Sequence, residues 1–120
     1  MKKRIAITAP YLQLEWDKYK HLLDDFEIII PPVLERFEES DMLKILTPDI
    51  VGIICGDDRI TEKVINNAAN LKVIVKWGTG IDSINRKYAE SRGIKVRNTP
   101  DAFINPVTES TIGLMLSIVR

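Results

Sequence analysis

The residues best suited to chemistry lie in one turn, Lys76-Trp77-Gly78-Thr79-Gly80-Ile81-Asp82. Two glycines flank a threonine there. A β-branched stretch, Leu71-Lys72-Val73-Ile74-Val75, precedes the turn, and a helix-like stretch from Ile84 to Arg92 follows it. Glycine has no Cβ, so the backbone turns sharply and its N–H groups stay open to a ligand. A strand-to-helix turn of this kind suits a small anion such as a carboxylate. Lys76 at the strand end brings a charge of matching sign, and Trp77 offers a flat wall to a pocket. Each residue also has a plainer use: glycine for any tight turn, a solvated strand-end lysine, a packed aromatic. Asp82 or Ser83 reads as the cap of the following helix.

Those residues need elements to hold them, and the apolar pattern supplies these in alternation. Arg4 to Thr8 reads as a strand, Leu14 to Leu23 as a helix, and Phe26 to Ile30 as a second strand closed by Pro31-Pro32. A short helix capped by Ser40 or Asp41 follows, with Met42, Leu43, Ile45 and Leu46 inward. Ile50 to Cys55 is apolar throughout, as in a parallel strand covered on both faces. Thr61 caps the next helix, Leu71 to Val75 is the fourth strand, Gly93 closes the helix after the turn, and Ile94 to Arg97 is the fifth strand. Pro106 fits the first turn of a last helix. Five strand–helix units predict an α/β fold: a doubly wound five-stranded parallel sheet with helices on both faces, flavodoxin-like or Rossmann-like, plus an apolar C-terminal helix. Ligands of such sheets sit beyond the carboxyl ends of the strands. The turn at Gly78 and the turn Asn98-Thr99-Pro100-Asp101 both belong to that edge.

Composition narrows the function. The chain has 120 residues, 45% of them hydrophobic, enough for one domain with a true core. Lys plus Arg and Asp plus Glu both number 17, so the net charge is zero and a nucleic-acid partner is not expected. The one cysteine, Cys55, excludes an internal disulfide and fits a cytoplasmic protein; set in an apolar strand, it reads as an inert core residue. No apolar run approaches the roughly 20 residues of a membrane span. Asp57 and Asp58 after the third strand, with Lys95, raise the possibility of a phospho-receiver. The first strand, however, runs into Thr8-Ala9-Pro10-Tyr11, which has no carboxylate for a magnesium ion and no flavin phosphate loop. The last helix is apolar nearly all round: Val107, Ile112, Leu114, Met115, Leu116, Ile118 and Val119. Such a helix calls for cover on several sides, by further polypeptide or by a second copy. Glu109 sits in its first turn, where the helix dipole favours an acid.

The segments Lys76 to Asn85, Gly93 to Pro100 and Val107 to Leu116 together resemble the D-isomer-specific 2-hydroxyacid dehydrogenases. Three motifs in order at matching spacing make a specific signal, covering roughly residues 50 to 120. The resemblance implies a substrate-binding or catalytic domain over residues 1–105. Residues 106–120 would begin the helix that leads to an NAD-binding domain. It implies that the backbone N–H groups of Thr79 and Gly80, with Gly78 supplying the turn, cradle a substrate carboxylate, next to the Lys76 and Trp77 already singled out, and that Thr99 and Val107 face the nicotinamide of NAD or NADP. The family's catalytic arginine, acid and histidine fall downstream of the matched segments, so no catalytic residue is expected in this chain. His21 lies too early for such a role. The chain departs from common family residues at Asp101, Phe103, Thr108 and Ser110, so a particular substrate does not follow. The expected function is the substrate half of an oxidoreductase that interconverts a D-2-hydroxy acid and a 2-keto acid by hydride transfer. Alone, the chain is expected to be inactive and to form a homo-oligomer. The competing reading is a stand-alone domain that binds a small carboxylate or self-associates without chemistry.

Overall fold

A computed structural model describes residues 2–78, 82–98 and 104–119, with backbone alone for 104–109. In chain order the elements are β1 (Arg4–Ile7), α1 (Pro10–Leu14), α2 (Trp16–Tyr19), a 3-10 turn (Lys20–Leu23), β2 (Glu27–Ile29), α3 (Glu39–Ile45), β3 (Ile50–Cys55), α4 (Glu62–Asn67), β4 (Val73–Lys76), α5 (Arg86–Ser91), β5 (Lys95–Asn98) and α6 (Ile104–Val119). The strands form one parallel sheet in the order β2-β1-β3-β4-β5. No helix among the described residues is long and apolar enough to cross a membrane.

β3 occupies the centre, and all six of its residues are buried. Ile53 and Cys55 join Ile74, Val96, Val64 and Met42 in a core under α3, α4 and α5. Val51 and Ile54 join Ile5, Ile7, Val73, Val75 and Met115 in a second core under α1, α2 and α6. Two cores on two faces are what a doubly wound sheet demands. The pairing slips once: Arg4 lies opposite Ile50 but Ile5 opposite Gly52, so β3 holds one extra residue, Val51. Gly52 has its own reason. A Cβ there would come within 2.7 Å of Met115 Sδ and 3.2 Å of Val73 Cγ1. Its missing side chain is therefore the seat of α6, whose Ile112, Met115 and Val119 are buried along one face. Leu114, Leu116 and Ile118 are only half-buried, so this helix is not covered all round by the described residues.

Several boundaries differ from the periodicity reading, each for a local reason. The first helical stretch begins at Pro10, not Leu14, and breaks at Glu15, whose φ of −106° and ψ of 8° interrupt the helical path. Glu38, rather than Ser40 or Asp41, precedes α3, and its N–H donates to the Asp41 carboxylate at 3.4 Å. Asn85, rather than Asp82 or Ser83, caps α5 by accepting from the Tyr88 N–H at 3.1 Å. The helix starts late because Ile84 is drawn into a parallel bridge with Ile60. Thr61 caps α4 as expected, and Gly93 takes a φ of +80° after α5.

The loops at the carboxyl edge are tied together sideways. Arg59 N–H donates to Phe37 O at 2.9 Å, Ile60 N–H to Ser83 O at 3.0 Å, and Asn85 N–H to Ile60 O at 2.9 Å. At the centre of this lacing is Asp58, fully buried. Its Oδ1 accepts from the Phe37 N–H at 2.8 Å, and its Oδ2 accepts from the Thr8 hydroxyl at 2.6 Å and the Gly56 N–H at 3.1 Å. One side chain thus joins the ends of β1 and β3 to the loop after β2. Burial pushes its carboxyl above the ordinary carboxylate range, against the pull of the three donors.

Two expectations follow from this packing. Gly52→Ala should cost about 1–3 kcal/mol in denaturant unfolding, and much of that cost should vanish in a Met115→Ala background. A full cost in that background would show that Met115 is not what the glycine accommodates. Asp58→Ala should cost about 1–3 kcal/mol for each buried N–H left unpaired, those of Phe37 and Gly56. Because the folded state holds the Asp58 proton more tightly than the unfolded chain, its contribution is full below the ordinary carboxylate pKa of about 3.9 and fades as pH rises through its native value. The advantage of wild type over Asp58→Asn should accordingly shrink between acid and neutral pH.

Candidate functional site

Lys76 is the last residue of β4 and lies in register with Cys55 of β3 and Asn98 of β5. It points to the same side of the sheet as Ile74, and its side chain is 7% exposed. A buried ammonium must be paired. Lys76 Nζ donates to Asp57 Oδ1 at 2.9 Å and to Trp77 O at 3.2 Å. The Asp57 side chain is 71% exposed, so the pair sits at the mouth of the fold, with the lysine stem inside and the carboxylate outside. Lys76 is therefore no solvated strand end.

Trp77 N–H donates to Cys55 O at 2.8 Å, carrying the β3–β4 ladder one residue further. Its ring is half-buried against the α1/α2/α6 core, so packing fixes its plane. Gly78 follows with a φ of +113°. A Cβ at that position would lie 3.8 Å from Lys76 Nζ, an ordinary contact. Conformation, not space, demands glycine here. The backbone leaves the sheet at this residue immediately beside a buried cation. Thr79, Gly80 and Ile81 lie outside the described residues.

Two cavities open at this edge. One of about 60 Å³ is lined by Pro10, Tyr11, Glu35, Gly56, Asp57, Lys76 and Trp77. Another of about 210 Å³ is lined by Arg36, Asp57, Asp82 and Ser83. The structure therefore brings together Lys76, Trp77 and Gly78, and sets the start of the second turn beside them through the Lys76–Asn98 register. Thr99 and Asp101 lie outside the described residues. Val107 and Glu109 lie on α6, with side chains outside them. His21 is exposed on the 3-10 turn. The buried Cys55 thiol is pushed strongly upward by desolvation, consistent with an inert core residue.

Sequence reasoning weighed Asp57 and Asp58 only as a receiver pair and missed both of their roles. The usable signal was their place immediately after a wholly apolar strand. Side-chain alternation then sends one carboxylate outward to Lys76 and the other inward to Thr8, Gly56 and Phe37. The described residues do not fit a dinucleotide pyrophosphate. Pro10 opens α1 where a glycine loop would be needed, and Asp57 and Asp82 would repel the phosphates at the other turns.

Comparison with known proteins points the same way. The family description "D-isomer specific 2-hydroxyacid dehydrogenase, catalytic domain" matches residues 6–113. Hydroxypyruvate reductase of Thermotoga maritima is 36% identical over 86 residues, covering 72% of this chain and 28% of that protein. D-3-phosphoglycerate dehydrogenase of Methanocaldococcus jannaschii is 36% identical over 117 residues, covering 98% of this chain and 21% of that protein. The chain thus spans between a fifth and a third of the length of these relatives. Among solved structures, an NAD+-bound 3-phosphoglycerate dehydrogenase of Entamoeba histolytica superimposes with a TM-score of 0.72 at 25% identity, over 96% of this chain and 38% of that one. With its five-stranded parallel sheet and this extent of match, the chain belongs to the D-isomer-specific 2-hydroxyacid dehydrogenases and corresponds to their catalytic domain.

Proposed function

We propose that this chain is the substrate-holding part of a nicotinamide-dependent dehydrogenase that interconverts D-2-hydroxy acids and 2-keto acids. The observation that carries this reading is Gly78. Its φ of +113° turns the backbone off β4 beside the buried, Asp57-paired Lys76, at the edge where parallel sheets bind ligands. The substrate carboxylate is received by backbone N–H groups of Gly78, Thr79 and Gly80, with Trp77 as a wall. Backbone N–H groups bring partial positive charge without the flexibility of a long side chain, so the acid is oriented as well as bound. Lys76 and Asp57 hold each other, and so keep the turn in place while adding no net charge. The nicotinamide, when bound, supplies or takes the hydride at the carbon next to that carboxylate. Thr99 and Val107 are assigned to its side of the cleft. No Gly-x-Gly-x-x-Gly loop occurs in these 120 residues, and no catalytic residue is assigned here. Self-association through the half-buried side of α6 belongs to the same proposal.

Glycolate titrated into the ¹⁵N-labelled protein should shift the amide resonances of Trp77 and Gly78 saturably. Gly78→Val should abolish the shifts while leaving core resonances in place, because valine resists a positive φ. Saturable binding that survives Gly78→Val would place the ligand elsewhere. The 120-residue chain alone should also fail to oxidise NADH in the presence of glyoxylate or pyruvate. Measurable turnover would mean that the chemistry resides within it.

A further inference from the structure

We infer that Asp58 and Thr8 form a proton-operated hydrogen-bond switch beneath the cavity at the carboxyl edge, and that its two settings place the junction from Thr8 to Tyr11 differently.

Asp58 is fully buried, and its two oxygens are used unequally. Oδ1 accepts from the Phe37 N–H at 2.8 Å. Oδ2 accepts from both the Gly56 N–H at 3.1 Å and the Thr8 hydroxyl at 2.6 Å. The two amides can only donate. Among these three partners only the Thr8 hydroxyl can also accept. When Oδ2 takes a proton from solvent, the bond to Thr8 reverses: Oδ2–H donates to Thr8 Oγ1, and the Thr8 hydroxyl turns to another acceptor. The acceptor within reach is Ile54 O, 3.5 Å from Thr8 Oγ1. That carbonyl already takes the Thr8 N–H at 2.9 Å and the Ala9 N–H at 3.2 Å. A hydroxyl bond at 3.5 Å is too long to be strong, so the neutral setting draws Thr8 toward Ile54 and disturbs the two amide bonds there.

The movement has a short route to the cavity. Pro10 and Tyr11 follow directly and line it together with Gly56 and Trp77. The packing has little slack, because a Cβ on Gly56 would lie 3.2 Å from Pro10 Cδ and 3.7 Å from Ala9 Cα. Charge reaches Asp58 from several elements. At the end of β3 stand the Cys55 thiol, which burial keeps protonated, and Asp57, held by Lys76 of β4. Arg59 follows in the chain, the loop before Phe37 brings Glu35 and Arg36, and α1 brings Tyr11. The β1 end itself brings no charge. Burial outweighs the three donors, so the changeover falls above the ordinary carboxylate pKa of about 3.9.

The test is a pH titration of the ¹³C,¹⁵N-labelled chain by NMR, with all carboxyl carbons followed beside the amides of Ala9, Tyr11, Phe37 and Gly56. The Asp58 carboxyl carbon should titrate with a midpoint above about 3.9. All four amides should step at that midpoint rather than at those of Glu35 or Asp57. In Thr8→Val the steps at Ala9 and Tyr11 should be lost, while those at Phe37 and Gly56, which touch the carboxyl directly, persist. Thr8→Ser keeps a hydroxyl and should retain all four. Asp58→Asn cannot titrate and should lose all four, which gives a second reading where Thr8→Val does not fold. The switch is overturned if Ala9 and Tyr11 do not step with Asp58 in the wild type. It is equally overturned if their steps survive Thr8→Val or Asp58→Asn, or if the chain unfolds in acid before Asp58 gains its proton.

Discussion

Every residue of β3, from Ile50 to Cys55, is shut away from solvent, and a strand in that position must be covered from above and below. The arrangement of the other elements follows from this demand. Helices α3, α4 and α5 close one face, while α1, α2 and α6 close the other. Parallel neighbours require each connection to cross back over the sheet, so every strand delivers its following loop to the same edge. The loop edge that carries the Gly78 turn is therefore a by-product of how the core is buried. Gly52 shows how closely core and site are linked. By having no side chain it lets Met115 seat α6 on the central strand, and the N-terminal half of that same helix carries Val107, which we propose faces the cofactor.

Apolar burial has no direction and could not by itself hold the edge loops in one arrangement. Asp58 does this with polar contacts. A carboxylate removed from water must have its lone pairs filled, and here the donors come from three separate segments. Neighbouring backbone bonds from Arg59, Ile60 and Asn85 extend the same lacing along the edge. The turn at Gly78 thus departs from a rigid rim, which favours binding by geometry that exists before the ligand arrives.

Within that rim the charge distribution matters more than the total charge. Lys76 is buried and Asp57 is not, and their ion pair cancels at the mouth of the cavity. Such a pair fixes a dipole at the start of the turn without adding net charge to it. The chain's zero net charge adds no general attraction for anions to this local arrangement.

Much of this was legible in the residue order. The alternation of apolar runs, the wholly apolar Ile50–Cys55 and the glycine turn after β4 determined the fold class, the strand buried on both faces and the edge from which the Gly78 turn departs, because those signals depend only on local backbone preference and on the period of burial. Thr61 and Gly93 marked their helix ends for the same reason. The tertiary structure alone decided that Asn85 caps α5, since the bridge from Ile60 to Ile84 delays that helix. It alone separated Asp57 from Asp58, turning one to Lys76 and the other into the core. Two adjacent carboxylates look identical in a sequence. Their difference is created by partners 19 to 50 residues away, which meet them only once the chain has folded.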